Sequence, residues 1–221
     1  MQLWLVRHGE STWNQARRFQ GARDAELSPR GHEQAQVLAE RLTGAGLEAI
    51  FTSPLARARD TATACAARLG LEPIPMDGLR EIGLGDWEGL PVETVVERYG
   101  DHYWRWLTAP ADHPPPGGEP MADLQRRVAS AIGAIHARHP RGRVLVVTHG
   151  GAIASYLCRC LGLALNAVWR LRIDNTSVTR VELPGGRLAS LNDTGHLDGR
   201  LSSASGAHPA AAPGTAAAGR P

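Results

Sequence analysis

Residues 3–12 read Leu3-Trp4-Leu5-Val6-Arg7-His8-Gly9-Glu10-Ser11-Thr12. A short apolar run stops abruptly at Arg-His-Gly. An unbroken run of this length is what a strand covered on both faces shows, so it reads as a buried strand. Arg7 and His8 then stand at its carboxyl end, where open α/β sheets place their ligands. Gly9 permits a sharp turn and lets a ligand approach the backbone.

A second stretch has the same design. Val144-Leu145-Val146-Val147-Thr148-His149-Gly150-Gly151 is again an apolar run ending in His-Gly. A lone histidine after a strand is most often a satisfied structural residue. Two strands of one design instead point to two imidazoles at one pocket.

The composition sets bounds. The 221 residues suffice for one domain with a sizeable core, and the formal net charge is only +2. No basic run suggests nucleic acid and no acidic tail is present, so any positive field should be local, around Arg7 and Arg57. No stretch reads as a signal peptide or a membrane span. Three cysteines do not make a disulfide framework. Cys158 and Cys160 fall on different faces of an expected helix, which disfavours a metal pair there. Cytoplasm is the expected location.

In chain order, residues 13–25 read as a loop carrying Asn14, Gln20, Gly21 and three arginines. Ser28-Pro29 opens a helix with an N-cap serine and a first-turn proline. Its apolar stripe is Ala35, Leu38, Ala39 and Leu42, and Gly44 and Gly46 end it. Residues 49–52 read as a short strand. Ser53-Pro54 starts a second helix with Arg57 in its first turn, a place where a cation is unfavourable unless an anion binds there. Arg59 is the competing candidate. Residues 73–76 are extended, and the glycine-rich residues 79–89 form a loop holding Glu81. On sequence alone Glu81 is equally a solvated loop carboxylate.

Residues 91–107 read as helical with an aromatic cluster, more often packing than substrate contact. Residues 110–120, rich in Pro and Gly, are irregular. A helix over 121–139 carries His136 and His139 without the further ligands a metal site needs. Residues 150–161 form the next helix. Residues 169–173 and 177–183 alternate and read as strands, the latter pairing with 187–191 through the Pro184-Gly185-Gly186 turn. From 198 onward the chain is Ala, Gly, Pro and Ser with almost no large apolar residue, and is expected to be a disordered tail. The domain is therefore expected over 1–197, with an insertion over about 87–120 as a small helical cap.

Taken together, the ordered set resembles the histidine phosphatase superfamily, the phosphoglycerate-mutase-like proteins. It comprises Arg7-His8-Gly9-Glu10-Ser11-Thr12 with Asn14, then Leu27-Ser28-Pro29-Arg30-Gly31, and Ser53-Pro54-Leu55-Ala56-Arg57-Ala58. Leu79-Arg80-Glu81-Ile82, Gly85-Asp86-Trp87-Glu88-Gly89 and Thr148-His149-Gly150-Gly151 complete it. The resemblance implies a three-layer α/β/α sandwich with a mostly parallel sheet. It implies His8 as nucleophile, and Arg7, Arg57 and His149 around the phosphoryl oxygens. It makes Glu81 the proton donor and acceptor. Asn14, Gln20 and Gly21 would face the phosphate, and Gly150 would add a backbone N–H.

No metal or other cofactor is implied, because the arginines supply the needed charge. The expected ligand is a small phosphorylated metabolite, with no nucleic acid or membrane partner. The oligomeric state is open. Family mutases carry a longer insertion with a Tyr-Gly motif after the catalytic Glu. Here that place reads Gly83-Leu84-Gly85-Asp86-Trp87-Glu88-Gly89-Leu90, as in the broad-specificity and sugar-phosphate phosphatase branches. The reading therefore favours a phosphomonoesterase. A phosphoglycerate mutase is the alternative, and a catalytically silent binder of phosphorylated ligands is the hypothesis from another class.

Overall fold

A computed structural model describes residues 1–197 together with Gly199 and Leu201. Apart from Gly199 and Leu201, the expected disordered tail lies outside the described residues. Six strands form one sheet: β1 (Gln2–Arg7), β2 (Ala49–Thr52), β3 (Pro73–Pro75), β4 (Arg143–Thr148), β5 (Val178–Glu182) and β6 (Arg187–Asp193). Their order is β3-β2-β4-β1-β5-β6. The first four strands run parallel, and β5 and β6 add an antiparallel edge. The helices are α1 (Thr12–Gln15), α2 (Pro29–Arg41), α3 (Ala56–Leu69), α4 (Val92–Thr108), α5 (Met121–Arg138) and α6 (Gly150–Leu161).

The period-two alternation of the strands makes the three layers. Leu3, Leu5, Val144, Val146 and Phe51 pack with Leu124, Val128, Ile132, Ile153 and Leu157 of α5 and α6. Val6, Leu145, Val147 and Ile50 point the other way, onto Leu38 of α2 and Ala58, Ala62 and Cys65 of α3. Burying each such leucine or isoleucine contributes about 1.5–3 kcal/mol. A one-residue slip of β1 against β4 would exchange the two faces, so the core fixes the register. That register pairs Arg7 with Thr148. His8 and His149 are each the next residue, and so emerge side by side.

Local chemistry explains the departures from the sequence reading. The expected loop over 13–25 begins with the single turn α1, because Ser11 and Asn14 form a reciprocal capping box. Helix α3 starts two residues late, at Ala56, and Leu55 stands in its cap position without a side-chain bond. Ser53 is used elsewhere, as shown below. Helix α4 is broken at Gly100 (φ 37°, ψ −110°), a conformation open to glycine. The expected strand over 169–173 is absent. The chain instead makes a 3₁₀ turn over Leu165–Arg170 and then runs irregularly. Its alternation is real, since Arg170 and Arg172 are exposed while Ile173 is buried. Among the described residues no strand lies alongside to pair with it.

Between β3 and α5, the aromatic residues of α4 join the main core. Phe19, Trp87, Tyr103 and Trp106 stack with ring centroids 5.3–6.3 Å apart. Trp106 also meets Trp169 at 4.9 Å. Most of this cluster is packing, as its spacing suggested. Trp106 additionally faces a cavity.

Candidate active site

A cavity of about 670 Å³ opens at the carboxyl ends of β1 and β4. Eight of the nine residues singled out from the sequence line it: Arg7, His8, Asn14, Gln20, Gly21, Arg57, Glu81 and Gly150. The ninth, His149, is fully buried beside His8, the two ring centroids 5.1 Å apart.

His8 is held from several directions. Its Nδ1–H donates to the carbonyl oxygen of Gly9 at 2.6 Å. A carbonyl can only accept, so this bond fixes the tautomer and leaves Nε2 with its lone pair. The His8 carbonyl receives the Asn175 side-chain amide at 2.9 Å, and the Gly9 N–H donates to Thr61 Oγ1 at 3.0 Å. Burial, then the charges of Arg57 and Arg7, push the imidazole well below its ordinary pKa, so it is neutral. His149 is depressed in the same way, by burial first and then Arg57. Its Nε2 bonds Ser53 Oγ at 2.8 Å, while its buried Nδ1 has no partner among the described residues.

Gly9 also has a packing reason to be glycine. A Cβ there would lie 2.6 Å from the Gly31 carbonyl oxygen of α2. The loop that carries His8 and the start of α2 are packed backbone to backbone.

The two arginines are anchored rather than free to wander. Arg57 is 1% exposed and donates to the carbonyls of Gly21 and Arg23, both at 2.8 Å. Burial lowers its pKa to about 10, still cationic at neutral pH. Arg7 donates to the Ile173 carbonyl at 2.7 Å. The Nε of each lacks a partner among the described residues. Asp24 accepts from the Ala56 N–H at 2.6 Å, setting the start of α3 and therefore Arg57.

Glu81 sits on the N-terminus of α6. Its carboxylate accepts from the backbone N–H groups of Gly151 at 3.0 Å, Ala152 at 3.1 Å and its neighbour Ile82 at 2.9 Å. It also interacts electrostatically with Arg7 and Arg57. Asn14 and Gln20 are tied together by Ser11, whose hydroxyl donates to Gln20 Oε1 at 2.8 Å and whose backbone N–H donates to Asn14 Oδ1 at 3.1 Å. Beyond this end the walls are mixed: Ile82, Leu84, Trp106, Trp169 and Leu171 give apolar surface beside Asn166, Arg170, Arg172 and Asp174.

Ser53, Thr61, Asp24 and Asn175 were missed by the sequence reading. Ser53 had a visible signal, a polar residue at the carboxyl end of a buried strand, but it read as a helix cap. Asn175 follows a run that imitates a strand, and nothing local announces its partner. His136 and His139 do not form a site: His139 packs edge-on against Phe51 at 5.7 Å. Among the described residues no group of three or more His, Cys, Asp or Glu is placed to hold a metal. Among them also, no helix is long and apolar enough to cross a membrane.

Known proteins resemble this chain in sequence and fold. The chain is 37% identical over 199 residues to phosphoserine phosphatase 1 of Hydrogenobacter thermophilus, covering 89% of this chain and 94% of that one. It is 35% identical over 207 residues to a probable phosphoglycerate mutase of Yersinia enterocolitica, covering 90% and 95%. The fold matches a mycobacterial glucosyl-3-phosphoglycerate phosphatase solved with VO3, with a TM-score of 0.82 and 32% identity over 87% of this chain and 99% of that one. The model of the histidine phosphatase superfamily (branch 1) matches residues 3–194. The chain belongs to branch 1 of the histidine phosphatase superfamily.

Proposed function

We propose that this enzyme is a metal-independent phosphomonoesterase that works through a phosphohistidine on His8 and acts on small phosphorylated metabolites. The observation that carries this reading is the neutral, tautomer-fixed His8 between two anchored guanidinium groups. Its Nε2 attacks phosphorus in line, forming the N–P bond as the bond to the leaving oxygen breaks. Arg7, Arg57 and the amide groups of Asn14 and Gln20 bind the phosphoryl oxygens. The Gly150 N–H and His149 Nδ1–H complete that cradle, next to Gly21.

Glu81 gives a proton to the leaving alkoxide. It then takes one from the water that cleaves the phosphohistidine and releases inorganic phosphate. The two arginines bring the charge that a metal would otherwise bring. The apolar part of the walls beyond the cradle accommodates the carbon body of the ester. A cytoplasmic location belongs to this reading, supported by three cysteines that are all free thiols.

The test is phosphorus NMR of the protein with a mixture of phosphate monoesters, 3-phosphoglycerate included, in excess chelator. Growth of inorganic phosphate in wild type and none in His8→Ala is the expected outcome, with a phosphoryl adduct on His8 trapped by acid-free quench and mass spectrometry. Turnover retained in His8→Ala would falsify the mechanism. The likeness to a probable phosphoglycerate mutase favours a second reading, phosphoryl transfer between hydroxyls of a phosphoglycerate. Interconversion without phosphate release would select it. Binding without either reaction would select the silent binder.

A further inference from the structure

Four successive backbone carbonyls lead up to the carboxylate of Glu81, and all four are captured. Thr148 Oγ1 donates to the carbonyl of Leu79 at 2.6 Å. One side chain, Arg127 of α5, takes the other three. Its Nη1 donates to Gly78 at 3.2 Å and Arg80 at 2.6 Å, and its Nη2 donates to Glu81 at 2.8 Å.

The two remaining N–H groups of Arg127 go to one carboxylate. Nε donates to Glu119 Oε1 at 2.7 Å and Nη2 to Glu119 Oε2 at 2.8 Å. A guanidinium has five N–H donors, and all five are spent. Arg127 does not line the cavity and has no donor left for a substrate. Glu119 in turn accepts from the Gly83 N–H at 3.3 Å, and its own N–H donates to the Gly83 carbonyl at 2.8 Å. The clamp therefore grips the Glu81 loop on both sides of Glu81. Gly78 shows how close the loop lies to α5: a Cβ there would come within 2.9 Å of the Ala131 Cβ.

We propose that Arg127, with Glu119, is the positioning residue for Glu81: it fixes the loop so that the carboxylate meets the leaving oxygen, and touches no substrate itself. This rests on the reading of Glu81 as proton donor. Lysine cannot replace the fork, because an ammonium is a point charge with three donors and cannot hold three carbonyls and a carboxylate in one plane.

The dependence on leaving group separates positioning from bulk stability. An alkyl phosphate needs its leaving oxygen protonated, whereas a nitrophenyl phosphate departs without help. Arg127→Lys is expected to lower kcat/KM for alkyl phosphates on the order of 10²-fold, the scale of general acid catalysis. For nitrophenyl phosphate kcat/KM, which ends at departure of the leaving group and precedes the water step that Glu81 also serves, should change only a few-fold. In Arg127→Ala, added guanidinium ion should restore alkyl ester turnover. Glu119→Gln, which keeps an oxygen acceptor, should shift the same ratio less, and serves if the arginine variants fail to fold.

Glu81→Gln is the control that separates the two ideas. A leaving-group effect in Glu81→Gln but none in Arg127→Lys or Glu119→Gln overturns the proposal alone. Equal losses of kcat/KM on both ester types in the Arg127 variants also overturn it, since that is a general structural defect. No leaving-group effect in Glu81→Gln removes the acid role and the proposal with it.

Discussion

The Nδ1–H of His8 and the carbonyl oxygen of Gly9 are 2.6 Å apart, and this one bond decides which ring nitrogen can react. With Nδ1 committed as donor, Nε2 holds the lone pair. Burial first, and then the neighbouring guanidinium groups, hold His8 below its ordinary pKa. On the proposed mechanism one arrangement would bind the phosphoryl group and preserve the nucleophile.

Removing Arg57 should damage both roles. Loss of a charged donor at a developing anion costs about 2.7–4 kcal/mol, or roughly 10²–10³ in kcat. Arg57 also lowers the His8 pKa, so Arg57→Met should raise it and move the acid limb of the kcat/KM profile to higher pH. Arg57→Lys should keep the limb near its wild-type place yet lose most activity, since a lysine cannot bridge the Gly21 and Arg23 carbonyls as the fork does. Steady-state kinetics across pH read both effects. An unchanged acid limb in Arg57→Met would show that burial alone keeps His8 neutral.

Stability should fall on mild acidification. His8 and His149 are both held below their ordinary pKa in the folded protein. The unfolded chain takes up protons on them near the free imidazole value of about 6.5, while the folded chain does not. Their contribution is complete above that pH and is lost as pH falls toward the depressed folded values. The slope is up to about 1.4 kcal/mol per imidazole per pH unit. Urea midpoints measured downward from neutral pH should show this loss. His149→Asn should flatten it, and an unaltered slope there would assign the loss to other groups.

Asn175 should matter more than its place in an irregular segment suggests. Its amide is buried and holds the His8 carbonyl at 2.9 Å, while the Thr176 N–H reaches that carbonyl only at 3.3 Å. Asn175→Ala should destabilise the fold by about 1–3 kcal/mol, the cost of a buried group left short of a partner. It should also slow turnover by freeing the loop that carries His8. Denaturant melts and kcat on one preparation test both. A destabilised but fully active variant would mean that Thr61 and Gly31 hold the loop unaided.

What was legible in the sequence followed from chain-local rules. Two apolar runs ending in His-Gly gave β1, β4 and their two histidines, and the parallel register did the rest. Helices with regular stripes, such as α2 and α5, were legible for the same reason. The residues that hold the site act across long separations in sequence. Ser53 bonds His149, Asn175 bonds His8, and Arg127 bonds carbonyls some 46–49 positions away. Hydroxyls, amides and guanidinium groups of this kind leave no periodic trace. Residues 169–173 mislead for the converse reason: they alternate in burial without a strand to pair with.

Gly151 offers a test of the Glu81 seat without weakening the helix that forms it. The residue lies in the first turn of α6, and a Cβ there would stand 2.6 Å from Glu81 Oε1. Alanine is favoured over glycine in a helix by about 0.5–1 kcal/mol, so Gly151→Ala should leave the fold as stable or slightly more so. The methyl group must, however, push the carboxylate off the Gly151 and Ala152 amides. A displacement of about 1 Å at a reacting group can cost on the order of 10²-fold in rate. The expected result is a normal melting temperature with kcat for alkyl phosphates lowered by that order. Full activity in a well-folded Gly151→Ala would mean that Glu81 reaches the leaving oxygen from some other position than its seat on α6.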